Sequence, residues 1–236
     1  MPVGRSGGGP MDPRQWRSGM TALVLLISIS AHALDSPPKD AVPIPMAEFN
    51  FDHEAPGKLP KGFTMAVSGS GPSIHWQIRD DPQAPSRPYI LAQSGKADPG
   101  ENFALALLDG RTLEQGEVAV RFKVVGGEED QSAGIVWRYQ DPRTYYVVRA
   151  DAREDNCCVY RVSKGKRKLL DEQAVIVSPY LWHDLRLVFV NRRFTVFLDN
   201  ELVLGGMDKA YLGAGQVGLW TKADSSIRFD DFRVSK

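Results

Sequence analysis

The chain has 236 residues, of which 42% are hydrophobic and 25% are charged, and its 29 Lys and Arg balance its 29 Asp and Glu. A chain of this length can bury a sizeable core within one domain. The zero net charge and the lack of a basic run argue against nucleic-acid binding, because neutralising phosphates requires a basic surface.

The N-terminal segment is typical of a secretory signal. Three arginines precede an apolar run at residues 20–30, which is too short to span a bilayer comfortably, and residues 31–33 (Ala-His-Ala) form a small-x-small cleavage site. We therefore predict a signal peptide over 1–33 and a flexible lead-in over 34–45. The expected location is the periplasm or the extracellular space, with no membrane insertion after cleavage. The alternative is an uncleaved anchor.

The rest of the chain, 46–236, reads as one all-β domain. Short apolar runs with a period near two alternate with turn residues, and Gly or Pro interrupts every candidate helix. The predicted strands are 47–52, 76–79, 89–93, 103–108, 117–125, 134–139, 145–151, 157–163, 182–190, 194–198, 201–204, 216–221 and 227–234. Strands at this spacing indicate a sandwich or a barrel.

The only two cysteines, Cys157 and Cys158, are adjacent. On a strand their side chains point to opposite faces, and a disulfide between neighbours would need a distorted backbone. The other interpretation is two free thiols, one of them packed inward as a small hydrophobe. With only four scattered histidines, a closed zinc site of four ligands is not expected.

Four segments in the second half of the domain carry a known pattern. Residues 182–187 read Trp-His-Asp-Leu-Arg-Leu, 194–199 read Phe-Thr-Val-Phe-Leu-Asp, 215–220 read Gly-Gln-Val-Gly-Leu-Trp, and 229–234 read Phe-Asp-Asp-Phe-Arg-Val. They resemble the C-terminal half of concanavalin A-like (laminin-G-like) jelly rolls. The resemblance implies a jelly-roll β-sandwich of two antiparallel sheets.

The central hairpin carries a closer resemblance. Residues 134–139 (Gly-Ile-Val-Trp-Arg-Tyr) and 145–149 (Tyr-Tyr-Val-Val-Arg) resemble bacterial exported proteins grouped with the 3-keto-disaccharide hydrolase-type domain. The similarity covers about 46–235 and implies binding or hydrolysis of a saccharide. A non-catalytic lectin-like, adhesion or structural envelope module is the alternative, because a fold does not fix a function. The Glu-x-Asp-x-x-Glu run of family 16 glycoside hydrolases is absent, so their two-carboxylate mechanism is not predicted.

The same hairpin is predicted to present a ligand face. If Tyr139 pairs with Tyr145 across the loop 140–144, the two sheet faces separate by alternation. The ligand face then carries Trp137, Tyr139, Tyr145, Arg149 and Asp151, and the core face carries Val136, Tyr146, Val148 and Ala150. Aromatic rings stack on the C–H surfaces of sugars, while Arg and Asp bond their hydroxyls. The alternative is a half-exposed face with ordinary cross-strand aromatic pairs.

Two loops are predicted to join this face at its rim. Trp220 lies at the end of a late strand with Lys222 and Asp224 after it, and Asn156 follows the central hairpin. Loops at the edge of a rigid sheet commonly carry ligand contacts, so we predict contacts from Trp220, Lys222 and Asn156. The alternative for the charged residues is a solvated surface pair.

If the resemblance extends to activity, the reaction is hydrolysis of a 3-keto-glycoside. The oxidised C3 acidifies the neighbouring C–H, and abstraction of that proton leads to elimination of the glycosidic oxygen. This chemistry needs a base and an oxyanion stabiliser. The candidates are Asp151 or Asp224 as the base and Arg149 or Lys222 as the stabiliser.

Calcium is the one cofactor for which the sequence offers candidate ligands. Asp52, Asp230 and Asp231 lie near the two ends of the domain, and many extracellular jelly rolls bind Ca²⁺. Calcium takes six to eight oxygens, and Asp is equally common at strand ends and turns. His183, beside Trp182 at a strand start, is interpreted as structural rather than as a base, since no nucleophile pairs with it.

Overall fold

The computed structural model describes residues 47–70, 75–94, 102–210 and 213–236. All of them belong to one compact unit, 42–236. The predicted signal peptide and lead-in, 1–45, lie outside the described residues. No helix among the described residues is long and apolar enough to cross a membrane.

The described part of the chain is built from strands joined by turns and loops, which confirms the predicted all-β class. In chain order the strands are β1 Ala47–Phe49, β2 Phe63–Gly69, β3 His75–Asp80, β4 Tyr89–Ser94, β5 Asn102–Leu108, β6 Gly116–Gly126, β7 Ser132–Asp141, β8 Thr144–Asp151, β9 Asn156–Ser163, β10 Lys166–Ala174, β11 His183–Val190, β12 Arg193–Leu198, β13 Glu201–Met207, β14 Gln216–Lys222 and β15 Ser226–Ser235.

Two antiparallel sheets pack face to face as a sandwich. The eight-stranded sheet has the order β13-β12-β11-β6-β15-β4-β3, with β1 added beside β15, and the seven-stranded sheet has the order β10-β9-β8-β7-β14-β5-β2. Chain neighbours such as β7 and β8 form hairpins, whereas β6–β15 and β7–β14 pair across long stretches of sequence. The predicted two-sheet sandwich is therefore confirmed.

Alternating side chains from both sheets form the core. Val118, Val120, Phe122 and Val124 of β6 all point inward, as the period-two pattern predicted. The turn between β12 and β13 consists of Asp199 and Asn200, and both have positive φ (52° and 69°). A two-residue hairpin turn of this kind matches the right-handed twist of the strands it joins.

The register of the central hairpin differs by one residue from the predicted one. Trp137 pairs with Tyr146 rather than with Val147, and the pairing shifts between Trp137 and Asp141. Arg138 lies inside this bulge with a φ of +49°. From Trp137 to Asp141, β7 advances four residues while β8 advances two, so β7 carries two extra residues there. Side-chain alternation is broken across such a bulge, and the predicted direct pairing of Tyr139 with Tyr145 is wrong.

The register change moves two predicted side chains to the opposite face. Trp137 lies in the core between the sheets, stacked on Tyr146 at 5.1 Å between ring centroids, so its predicted place on the ligand face is wrong. Val136 lies on the outward face instead of in the core. The remaining seven side chains have the predicted sidedness: Tyr139, Tyr145, Tyr146, Val148, Arg149, Ala150 and Asp151.

The outward face of the seven-stranded sheet is concave. The Arg167 guanidinium of β10 lies 4.6 Å from the ring centroid of Phe103 on β5, although four strands separate them in the sheet. At a strand spacing of about 4.8 Å, β10 and β5 of a flat sheet would be about 24 Å apart, which is too far for the two side chains to bridge. The sheet therefore curls, and we call this outward surface the concave face.

Candidate functional site

One end of the concave face collects most of the polar residues that the sequence singled out. Register places Trp220, Gly134 and Arg149 in one row across the sheet. Asp151 pairs with Asn156 in the adjacent row, one step toward the strand ends on the same face. We call this region the charged end. Its polar side chains are Asp130, Ser132, Arg149, Asp151, Glu154, Asn156, Glu172 and Lys222.

Arg149 is the central cation of the charged end. Its side chain is only 6% exposed, and its guanidinium donates to Asp151 at 2.7 Å and to Glu154 at 2.5 Å. Burial lowers the pKa of Arg149, but hydrogen bonds to Glu154 and Tyr160 outweigh it, so the pKa lies above its usual range. Arg149 therefore keeps its charge and sits within an internal ion-pair network.

Asp151 does not have the free oxygen that a base requires. One carboxylate oxygen accepts hydrogen bonds from the Ser132 hydroxyl and from Arg149. The other accepts the backbone N–H groups of Arg153 and Glu154 at 2.9 and 2.8 Å. This pattern is an Asx turn, and it closes the connection from β8 to β9. The geometry assigns Asp151 a structural role and does not support its prediction as a base.

Asp224 likewise organises a loop. Its carboxylate accepts the backbone N–H groups of Glu128, Glu129 and Asp130 at 2.6, 3.1 and 2.9 Å. Burial raises the pKa of Asp224, but these donors outweigh it, so the pKa lies below its usual range. A carboxylate stabilised in this way is a poor proton acceptor. Lys222 forms an ion pair with Asp130 in the same loop.

The accessible part of the charged end lies around Asn156. Its side-chain nitrogen donates to Glu172 at 2.6 Å and approaches Glu154 at 3.3 Å. The Glu154 side chain is 48% exposed, and the hydrogen bond from Arg149 holds its pKa below the usual range. Two carboxylates, an amide and a half-buried tyrosine, Tyr160, thus share one accessible corner.

Tyr160 is held between two arginines. The guanidinium carbons of Arg167 and Arg149 lie 5.2 and 5.9 Å from its ring centroid. A cation near an aromatic ring at this distance is attracted to it. The contacts fix the ring at the junction of β8, β9 and β10, where the side chain is half-buried.

The other predicted aromatic residues form the floor of the concave face. Trp220 is fully buried and stacks on Phe103 at 5.2 Å between centroids. Tyr139 and Tyr145 lie 6.0 Å apart further along the floor, and burial raises the pKa of Tyr139 to about 12. These rings support the surface from beneath. They do not present an open stacking platform.

His183 and the cysteines have structural surroundings. The two ring nitrogens of His183 lie 2.7 Å from Asp199 and 2.9 Å from the Ser178 carbonyl oxygen, which confirms the structural interpretation. Both cysteines are free and buried, with Cys157 in the core, so the interpretation as two thiols is confirmed. Burial raises the pKa of Cys157 to about 12.

The three calcium candidates already have partners within the protein. Asp52 accepts the N–H of Tyr89 at 3.1 Å, and Asp230 accepts the N–H of Ser86 at 2.8 Å and lies 2.8 Å from the Ser86 hydroxyl oxygen. Asp231 lies 3.5 Å from Arg121. Among the described residues, no three His, Cys, Asp or Glu side chains gather to hold a metal ion. Calcium needs six to eight oxygens, so these residues do not fit it.

Comparison with solved structures finds sandwiches of the same kind. The carbohydrate-binding module CBM66 from Bacillus subtilis is 17% identical, with 73% of this chain and 94% of that one covered and a TM-score of 0.57. The endo-β-galactosidase from Clostridium perfringens that releases GlcNAcα1-4Gal is 12% identical, with 80% and 62% covered and a TM-score of 0.53. A protein of unknown function with a galectin-like fold from Bacillus subtilis is 15% identical, with 72% and 88% covered and a TM-score of 0.51.

At these identities, the likeness establishes the fold. No protein-family model matches the sequence, and the search of curated proteins found no match. The concanavalin A-like sandwich predicted from the late strands is consistent with these neighbours.

Four residues of the site were not predicted from the sequence: Glu154, Tyr160, Arg167 and Glu172. The signal for Tyr160 was present, because alternation along β9 puts it on the same face as Asn156 and Cys158. Arg167 and Glu172 lie on β10, whose mostly polar sequence shows no strand alternation. The pairing of β10 with β9 places Arg167 beside Tyr160 and Glu172 beside Asn156.

Proposed function

We propose that this chain is an exported saccharide-binding domain and that the ligand is bound at the charged end of the concave face. The observation that carries the proposal is the accessible corner around Asn156, where an aromatic ring, two carboxylates and an amide lie together. The likeness to CBM66 and to the endo-β-galactosidase supports it, because each is described as acting on or binding carbohydrate.

The chemistry of the corner suits sugar hydroxyls. A sugar hydroxyl can donate to Glu154 or Glu172, whose carboxylates Asn156 positions through its side-chain nitrogen. The half-buried ring of Tyr160 supplies an apolar surface for sugar C–H groups. Arg149 behind this corner keeps Glu154 ionised. The Glu154 acceptor is therefore already charged and oriented before a ligand arrives.

Hydrolysis of a 3-keto-glycoside is the second candidate. It is favoured by the resemblance of residues 134–149, whereas the hydrogen bonding of Asp151 and Asp224 speaks against either of them as the base. The base would have to be one of the accessible carboxylates, Glu154 or Glu172. Turnover of 3-keto-glycosides lost in Glu154→Gln or Glu172→Gln would favour this candidate over binding alone.

The test is a binding screen of neutral oligosaccharides by calorimetry and thermal shift. Tyr160→Leu and Asn156→Ala should each weaken affinity by about tenfold or more, the range of a central contact residue. Tyr180→Leu is the matched control, because Tyr180 is a 69% exposed tyrosine on the loop before β11. Affinity that is unchanged in both site variants, or lost equally in the control, would place the ligand elsewhere.

A further inference from the structure

A second polar site lies on the outward face of the eight-stranded sheet, on the other side of the sandwich. Its floor is Ala119 of β6, which is flanked along the strand by Glu117 and Arg121 and across it by Arg186 and Arg233. Alanine is much shorter than these four neighbours, so their side chains rise around a depression. The resulting cavity has a volume of about 340 Å³ and is lined by Glu117, Arg121, Asp184, Arg186, Asn200, Arg233 and Ser235.

Two of the three arginines of this cavity are oriented by their neighbours. Arg186 donates to Glu117 at 3.2 Å and lies 3.8 Å from the ring centroid of Phe197. Arg233 donates to Asp184 at 3.1 Å. A guanidinium has five N–H donors, so each of these two keeps donors beyond the contact that positions it.

The third guanidinium is the most accessible. The side chain of Arg121 is 46% exposed, and its nearest carboxylate, on Asp231, is 3.5 Å away. Exposed ion pairs contribute little to stability, so an incoming anion could compete for Arg121 at small cost. The cavity therefore combines two fixed cations with one that is free to turn toward a ligand.

The lining selects for an anion that also carries hydroxyl groups. Three guanidinium groups face two carboxylates, an amide and a hydroxyl. Guanidinium groups bind carboxylates in a forked, bidentate geometry. A bare sulfate only accepts hydrogen bonds, so Glu117 and Asp184 would repel it. A carboxylate-bearing sugar offers its carboxylate to the arginines and its hydroxyl donors to Glu117 and Asp184.

We propose that this cavity, the arginine site, binds a hexuronic acid unit of an acidic saccharide. Its volume is at the small end of ligand pockets, which suits one sugar ring better than a chain. The site shares no residue with the charged end of the concave face. The proposal for the arginine site therefore does not depend on the saccharide binding proposed for the concave face.

The experiment is a titration with galacturonate, with galactose and sodium sulfate as parallel arms at constant ionic strength, followed by calorimetry and thermal shift. Galacturonate should bind and raise the melting temperature, since a ligand that prefers the native state stabilises it. Galactose and sulfate should not. An equal response to sulfate would mean that only charge is recognised and would overturn the proposal.

Variants locate the site. Arg121→Gln and Arg233→Gln should each weaken galacturonate binding by about tenfold or more, the effect of losing one charged hydrogen bond. Arg192→Gln, at an exposed arginine in the β11–β12 turn, is the matched control and should bind normally. Arg121→Gln should fold normally, because the Arg121 side chain is exposed and its nearest carboxylate is 3.5 Å away. Its loss of binding therefore cannot be attributed to misfolding. The arginine site would be overturned if both site variants still bound galacturonate, or if Tyr160→Leu abolished that binding. Neither result would contradict the saccharide binding proposed for the concave face.

Discussion

Asp230 is a fully buried carboxyl group that joins three segments of the chain. Its oxygens lie 2.8 Å from the backbone nitrogen and from the hydroxyl of Ser86, and that hydroxyl is also 3.0 Å from the Asn50 carbonyl oxygen. A hydroxyl has one proton and cannot donate to both acceptors. A protonated Asp230 resolves the conflict by donating to Ser86, which then donates to Asn50. Burial raises the pKa of Asp230 to about 6, in agreement with this geometry.

The pH dependence of stability follows from this pKa. Between about pH 4 and pH 6 the folded protein holds a proton that the unfolded chain has lost, so the free energy of unfolding falls as the pH rises. In Asp230→Asn, the side-chain NH2 group donates a hydrogen bond at every pH, as the protonated carboxyl group does only at low pH. The variant should gain stability relative to wild type as the pH rises from 4 to 7, by up to about 3 kcal/mol. Urea unfolding at both pH values measures this, and parallel pH profiles of the two proteins would contradict it.

At the scale of elements, the contact between β7, β8 and β14 depends on Gly134. A Cβ added there would meet the Val148 carbonyl oxygen and would lie 3.2 Å from the Trp220 ring. Gly134→Ala should therefore lower the free energy of unfolding by about 1–3 kcal/mol, as overpacking does. It should also shift Trp220 in the floor of the concave face. Denaturant unfolding measures the first effect, and near-ultraviolet circular dichroism measures the second.

Gly213→Ala is the control for that substitution, because a Cβ at Gly213 meets nothing within 4 Å. It should leave both the unfolding free energy and the near-ultraviolet spectrum close to wild type. A Gly134→Ala variant as stable as this control would show that β7 and β8 separate without cost.

Strands in which apolar and polar residues alternate strictly were predictable from the sequence, whereas polar edge strands were not. β6 alternates cleanly because one side of it faces the core. β10 (Lys166–Ala174) is an edge strand with exposed or half-buried side chains throughout, so no apolar period marked it. β2 was missed for a related reason, because four of its seven residues are exposed at the opposite edge of the same sheet.

The candidate site was predictable to the extent that it follows from alternation. Arg149, Asp151 and Asn156 share a face because their strands run without interruption. Trp137 was misplaced because the bulge at Arg138 has no distinct sequence signal. The role of Asp224 could not be read from the sequence, since backbone N–H groups of a loop remote in sequence decide it. That of Asp151 depends on how the turn directly after β8 folds back onto its carboxylate.

At the scale of the whole molecule, the proposed export would place two free thiols in an oxidising compartment. Cys157 and Cys158 are both fully buried, and burial raises the pKa of each thiol. Because the thiolate is the reactive form, neither should be labelled by a maleimide in the native domain at neutral pH. Both should be labelled when the domain unfolds globally. Mass spectrometry across a urea series measures this, and labelling that precedes the loss of circular dichroism would contradict it.

The pairing of β1 with β15 sets how the domain would respond to a pulling force. Ala47 lies opposite Val234, so the chain enters and leaves the sandwich side by side. Tension applied through these two points pulls β1 away from β15, and it would break the backbone hydrogen bonds between the two strands one after another. β1 has only three paired residues. If the domain links two larger bodies under load, this short strand is the part that yields first, while the sandwich behind it stays intact.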